Sequence, residues 1–247
     1  RASAKCWSSK WQRIKAAFIK ATGEMPHPGM KVLLSVSANF HEAYGFSWIV
    51  DDIDPSYTLG DMARKRLAII NELKAQGVFD MQRQLSLPMF AMRIAVISSA
   101  NAAGYGDFCN QLADNEYGFK FRTQLFPAIM QGEQVEASVI EALNKINDEA
   151  DSFDVVVIIR GGGATADLSG FDTLRLAENV ANFPLPIITG IGHERDESVL
   201  DLVAHHNVKT PTAAAAFLID HLALVANYLD QASQRISNII TYRLQTE

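Results

Sequence analysis

Two short runs carry residues suited to handling a phosphate. Arg160-Gly161-Gly162-Gly163 joins a permanently charged, forked guanidinium to three glycines, whose backbone N–H groups can approach an anion with no Cβ in the way. Gly190-Ile191-Gly192 is followed by His193 and Asp196, a spacing of three that puts both on one face of any helical turn there. Histidine gives and takes a proton near neutrality, and a neighbouring carboxylate orients its ring or an attacking water. Together the runs offer anion binding and acid–base chemistry. Each also has a plainer reading: a tight turn with a surface arginine, a structural histidine, and Asp196 as the N-cap of a helix from Glu197 to His205.

The elements that must position these residues read as a parallel α/β sheet. Val155 to Ile159 is an unbroken β-branched run, the pattern of a strand covered on both faces, and Pro186 to Ile191 is a second apolar run. Upstream, strand and helix alternate: Ile94 to Ser98 as strand, Asp107 to Tyr117 as helix, Phe121 to Phe126 as strand, and Glu133 to Glu149 as a helix with Val135, Val139, Leu143 and Ile146 on one stripe. In such sheets ligands bind outside the carboxyl ends of the strands, so the two glycine-bearing runs converge on one crevice. The Ser98 to Asp107 loop, with Gly104 and Gly106, faces the same crevice and delivers Asp107 at a helix start, either as a third polar group or as a charge favoured by the helix dipole.

Upstream of that domain the character changes. The chain carries a net charge of −6, yet residues 1–50 hold seven Lys or Arg against two Glu. All three tryptophans, Trp7, Trp11 and Trp48, lie there too, with Phe18, Phe40, Tyr44 and Phe46. Basic residues interleaved with aromatics suit a groove for single-stranded nucleic acid; the same aromatics also suit the core of a small β-domain. Ala4 to Ile14, Lys31 to Ala38 and Tyr44 to Val50 read as short strands, with a turn at Pro26-His27-Pro28-Gly29. Thr58 and Asp61 suggest the capped start of a connecting helix stopped by Gly77, and Met81 to Met92, with Pro88, reads as the domain boundary.

At the other end, Lys209-Thr210-Pro211-Thr212 begins a helix, and Leu218, Leu222, Val225, Leu229, Ala232, Ile236 and Ile239 follow the alternating four-and-three steps of a coiled coil. With 48% hydrophobic and 20% charged residues the chain is ordinary for a globular protein. It shows no signal peptide and no apolar run of membrane-spanning length, so no membrane partner is expected; Cys6 and Cys109 alone are consistent with a reducing cytoplasm. Because it opens on Arg1 and ends inside a helical pattern, it reads as a piece of a longer protein whose amino-terminal portion is missing.

Taken jointly, Arg93-Ile-Ala-Val-Ile-Ser-Ser, Phe126-Pro-Ala-Ile-Met-Gln-Gly-Glu, Arg160-Gly-Gly-Gly with Asp167-Leu168, Gly192-His-Glu-Arg-Asp196 with Asp201, and Thr210-Pro-Thr-Ala-Ala-Ala resemble, in order and spacing, the large subunit of exonuclease VII. The resemblance covers nearly the whole chain and implies four parts. Residues 1–54 would be a partial OB-fold-like nucleic-acid-binding domain and residues 55–90 a connecting helix and linker. Residues 91–216 would be the α/β catalytic domain and residues 217–247 the start of a coiled-coil helix. It implies an exodeoxyribonuclease that degrades single-stranded DNA from both ends to oligonucleotides in the cytoplasm, with a small partner subunit and without an essential divalent metal. The family's functional residues fall on Asp107, Arg160, His193 and Asp196, although the loop Asn101-Ala-Ala-Gly-Tyr-Gly106 departs from its usual pattern. Two alternatives stay open: a non-catalytic module in which Arg160 and the glycines only bind phosphate, and a metal nuclease using His193, Asp196 and Asp201.

Overall fold

The computed structural model describes residues 3–22, 25–42, 45–161, 168–192 and 197–246. At the amino end, β1 (Ala4–Lys5), β2 (Leu33–His41) and β3 (Gly45–Asp54) form a sheet in the order β1-β3-β2, with β2 antiparallel to β3. The strand expected over Ala4 to Ile14 is corrected: only Ala4–Lys5 pairs, and Ser8–Thr22 is helix α1. Trp11, Ile14 and Phe18 recur at steps of three and four, and that period buries Ile14 and Phe18 with Val50 and Ile53 of the sheet.

Helix α2 (Pro55–Ala75) starts one turn before the expected cap. Asp54 is the N-cap, its carboxylate accepting from the Ser56 N–H at 2.9 Å, and Pro55 takes the first helical position, where no N–H is needed. Thr58 instead donates to the Lys31 carbonyl at 3.0 Å, tying the helix back to the segment before β2. The helix stops before Gly77, whose φ of 76° is the left-handed conformation glycine tolerates. Beyond it the stretch Met81 to Met92 is tied to the α/β domain. Gln82, in the short helix α3 (Met81–Gln84), is fully buried: its Nε2 donates to the Phe183 and Leu185 carbonyls at 2.8 and 3.3 Å, and its Oε1 accepts from Ile187 N at 2.9 Å. His205 and His221 donate to the Leu85 and Pro88 carbonyls at 3.1 and 2.8 Å.

The main body is an all-parallel five-stranded sheet with helices on both faces. Its elements are β4 (Arg93–Ser98), α4 (Ala103–Ala113), β5 (Arg122–Pro127), α5 (Val135–Asp148), β6 (Val155–Ile159), α6 (Leu174–Ala181), β7 (Ile187–Gly190), α7 (Val199–Val203), β8 (His206–Asn207) and α8 (Pro211–Thr246). The strand order is β5-β4-β6-β7-β8. All five β6 residues are fully buried, and alternate residues serve opposite faces. Val156 and Ile158 pack with Ala95, Ile97 and helices α5, α6 and α7, while Val155, Val157 and Ile159 pack with Ile94, Val96 and helices α4 and α8. The chain builds outward to β5 on one side of β4 and to β6, β7 and β8 on the other, so the direction of winding switches between β4 and β6. Asp154 locks the opposite, amino ends of those two strands: its carboxylate accepts from the Met92 and Arg93 N–H groups at 3.0 and 2.7 Å and from the Arg93 guanidinium at 2.5 Å.

Two local expectations are corrected here. The helix read as Asp107 to Tyr117 is α4, Ala103–Ala113, so Asp107 lies one turn inside it; Gly104 and Gly106, read as loop, are helical because close packing of Gly104 outweighs glycine's weak helix propensity. The helix read as Glu197 to His205 is the five-residue α7, followed by β8. Its N-cap is Ser198, not Asp196: Ser198 Oγ accepts from Asp201 N, and the Asp201 carboxylate accepts from Ser198 N, a reciprocal capping box. The coiled-coil stripe of α8 is divided, with Leu218 and Leu222 buried and Leu229, Ile236 and Ile239 exposed. By length and composition α8 passes for a membrane-spanning helix, but a third of the window that passes is buried, much as in a core helix.

Candidate active site

The crevice lies outside the carboxyl ends of β4 and β6, at the switch point where open parallel sheets bind ligands. Arg160, the residue after β6, is 4% exposed, so it is not the surface arginine of a simple turn. A guanidinium in such a place acts through a lower effective dielectric than a surface one, and its attraction for a phosphate is correspondingly stronger. The Arg160 backbone N–H donates to the Gly190 carbonyl at 3.3 Å, which joins the tip of β6 to that of β7.

Glycines let three more backbone segments close on this point. A Cβ at Gly104 would lie 2.9 Å from Pro211 Cγ, 3.0 Å from Gly161 Cα and 3.2 Å from the Arg160 carbonyl oxygen. One at Gly190 would lie 3.1 Å from the Thr210 carbonyl oxygen, and one at Gly192, where φ is 70°, 2.7 Å from that of Lys209. Gly104 is in the first turn of α4 and Pro211 is the first residue of α8, so two helix amino termini meet beside Arg160 and Gly161. Thr210 caps α8 by accepting from Ala213 N at 3.1 Å; α4 has no side-chain cap at Ala102, and its Tyr105 N–H turns back to the Ala102 carbonyl at 3.0 Å. The part played by the Lys209-Thr210-Pro211 segment was not anticipated from the sequence, where it reads only as a helix start. The signal was the small residue at each facing position.

Of the residues singled out in the sequence, Arg160 and Gly161 are thus brought together with the amino end of α4, and Asp107, exposed, follows Gly104 by three residues on the same side of that helix. Gly162, Gly163, His193 and Asp196 lie outside the described residues, as does Asp167. The described residues flanking His193 and Asp196 are fixed on both sides. Gly192 abuts Lys209, and α7 is held by Asp201, which accepts from Thr189 Oγ1 at 2.6 Å and from Ser198 Oγ at 2.8 Å. Asp201 thus joins β7 to α7 through both of its carboxylate oxygens. Asp172 adds a second brace: it accepts from Val199 N at 2.7 Å and pairs with Arg66 of α2. Burial pushes the Asp172 carboxyl up, against the opposing pull of the Val199 N–H and Arg66.

The three tryptophans separate. Trp11 packs on the Ile14–Phe18 core, Trp7 is 66% exposed, and Trp48 is half-buried in a T-shaped contact with Phe46 at 4.9 Å. Phe40 and Phe46 are cross-strand partners, two residues along from the Ala38–Trp48 pair, so Phe40, Phe46 and Trp48 share one face of the hairpin.

Residues 78–247 match the family described as Exonuclease VII, large subunit. Relatives named Exodeoxyribonuclease 7 large subunit include that of Deinococcus radiodurans, 38% identical over 240 residues, covering 94% of this chain and 58% of the relative. That of a Cyanothece species is 33% identical over 236 residues, covering 95% and 52%, and that of a Nostoc species 38% identical over 189, covering 76% and 44%. The chain spans about half the length of these relatives. With more than two thirds of its residues inside the family match, and with the crevice placed where that match runs, the chain belongs to the exonuclease VII large-subunit family.

Proposed function

We propose that this chain carries the catalytic centre of an exodeoxyribonuclease that hydrolyses single-stranded DNA from both ends to oligonucleotides, in the cytoplasm, together with a small subunit. The observation that carries the reading is the convergence of two helix amino termini on Arg160 and Gly161 at the sheet's switch point, a site made for a phosphate. Arg160 and the amides of Gly161, Gly162 and Gly163 hold the scissile phosphate as charge builds on its oxygens. His193 is the general acid or base, Asp196 orients its ring or the attacking water, and Asp107 positions that water from α4. The hairpin face of Phe40, Phe46 and Trp48, with exposed Trp7 two residues beyond the strand that pairs with β3, gives bases a surface on which to stack. Fixed cation and helix dipoles take the role a metal has in other nucleases, so this chemistry asks for no resident divalent ion.

The test is incubation of the full-length large subunit with its small subunit and end-labelled DNA. Acid-soluble oligonucleotides from single strands, released equally with and without chelator and slowly from blunt duplex, are expected. Binding without cleavage would leave only the phosphate-binding module, and cleavage abolished by chelator would overturn the metal-free chemistry.

A further inference from the structure

A cavity of about 210 Å³ opens where three segments meet: the turn before β2, with His27 and Lys31; α2, with Thr58, Lys65 and Arg66; and the β6-to-α6 connection at Asp172. That wall, Ser169 and Asp172, belongs to the stretch of chain that follows β6 and Arg160. The charges around it are sorted by depth. The acids face inward, the Asp61 and Asp172 side chains being 5% and 10% exposed. The cations face outward, with Lys31 and Lys65 at 61% and 58%. Asp61 gathers Lys31 at 3.8 Å, Arg64 at 2.5 Å and Lys65 at 3.1 Å, and the hydrogen bond from Lys65, followed by Arg64 and the fields of Lys65 and Lys31, holds its carboxyl below the usual range. An ammonium has three donors, so a lysine fixed by one bond to Asp61 keeps others for a second partner. On a chain of net charge −6, a buried carboxylate thus organises an outward array of cations where the turn leading into the amino-terminal hairpin meets the α/β domain.

We propose that this cavity seats a backbone phosphate of a single DNA strand passing between the amino-terminal sheet and the Arg160 crevice, with Lys31 and Lys65 as its charged ligands. It rests on the single-strand reading above and adds to it a second phosphate contact. Arg66 shapes the wall and stays bound to Asp172, whose other oxygen holds Val199 at the start of α7. The volume suits one phosphate with its ester oxygens.

The test uses the full-length large subunit with its small subunit, carrying His193→Ala so that binding is read without turnover. Fluorescence anisotropy with an oligothymidylate of about twenty nucleotides is followed across a salt series. Lys31→Gln with Lys65→Gln should weaken binding about threefold at moderate salt and lower the slope of log affinity against log salt by about 0.7, the loss of one single-strand phosphate contact. Lys65→Gln alone, which leaves Lys31 and Arg64 on Asp61, should show the same direction in a protein with its fold intact. An unchanged slope and affinity in these variants would overturn the seat, as would an equal loss in Lys145→Gln, an exposed lysine on α5 paired with Glu141. Hydrolysis by the His193-intact protein is scored separately. A lowered slope without any wild-type hydrolysis keeps the seat and sinks the nuclease reading; hydrolysis with an unchanged slope does the reverse.

Discussion

Arg160→Ala should lower turnover by about 10² to 10³, the usual effect of removing one preorganised contact to developing charge. Arg160→Lys keeps the charge without the fork and should recover part of it, as read by single-turnover cleavage of labelled single strands. Gly104→Ala puts a methyl 3.0 Å from Gly161 Cα and should cost about 1–3 kcal/mol of stability. It should also cut turnover in the protein that remains folded, because the displaced backbone is the one that carries Arg160. A denaturant titration beside the cleavage assay separates the two effects. His193→Ala should lose about 10² to 10⁴ in rate while still binding strands. Single residues were legible to unequal degrees. Arg160 and its glycines announce themselves because a buried apolar run ends at a charge; the brace made by Asp201 did not, because it depends on Ser198 and Thr189, from two different elements, meeting its two oxygens in the fold.

Between elements, the pairing of β4 with β6 depends on Asp154. Burial alone would raise its carboxyl, but the Arg93 guanidinium and the Arg93 and Met92 N–H groups outweigh it, and the net shift is downward from 3.8. A lowered folded value means a stability contribution fully present above pH 3.8 and lost as pH falls through the folded value. Asp154→Asn should therefore cost about 1–3 kcal/mol at neutral pH and flatten the acid limb of the stability profile, measured by urea unfolding. Gln82→Leu should cost a similar amount without pH dependence, since it strands the buried Phe183 carbonyl and Ile187 N–H and a part-buried carbonyl at Leu185. The parallel sheet could be read from the chain because its strands are continuous apolar runs; β8 could not, being two residues whose only claim to be a strand is pairing with β7. Helix α1 was hidden for another reason: its exposed face is rich in Lys, Ala and Ser, and in so short a stretch the apolar positions match period two nearly as well as 3.6.

Across the whole molecule, charge and apolar area are unevenly placed. Residues 1–50 are basic within a chain of net charge −6, and the distal half of α8 leaves Leu229, Ile236 and Ile239 at 45%, 59% and 59% exposure. A stripe at coiled-coil spacing that the domain does not cover suits association with another helix. Ile236→Asp with Ile239→Asp should accordingly reduce the sedimentation coefficient of the full-length protein mixed with its small subunit and leave the thermal unfolding of the α/β body unchanged. Here too the sequence showed the period but not the division, because a heptad pattern looks the same whether its face meets the domain or a partner. The first residue of α8 touches the crevice, and the helix runs 36 residues without interruption. At 1.5 Å per residue that is a rod about 54 Å long, its first turns buried in the domain through Ala214, Ala215, Leu218 and Leu222 and its far turns standing clear of it. The exposed stripe from Leu229 to Ile239 lies about 27 to 42 Å along that rod from Pro211, so a helix laid on it would be held well away from Arg160 by one continuous element whose root is fixed in the core.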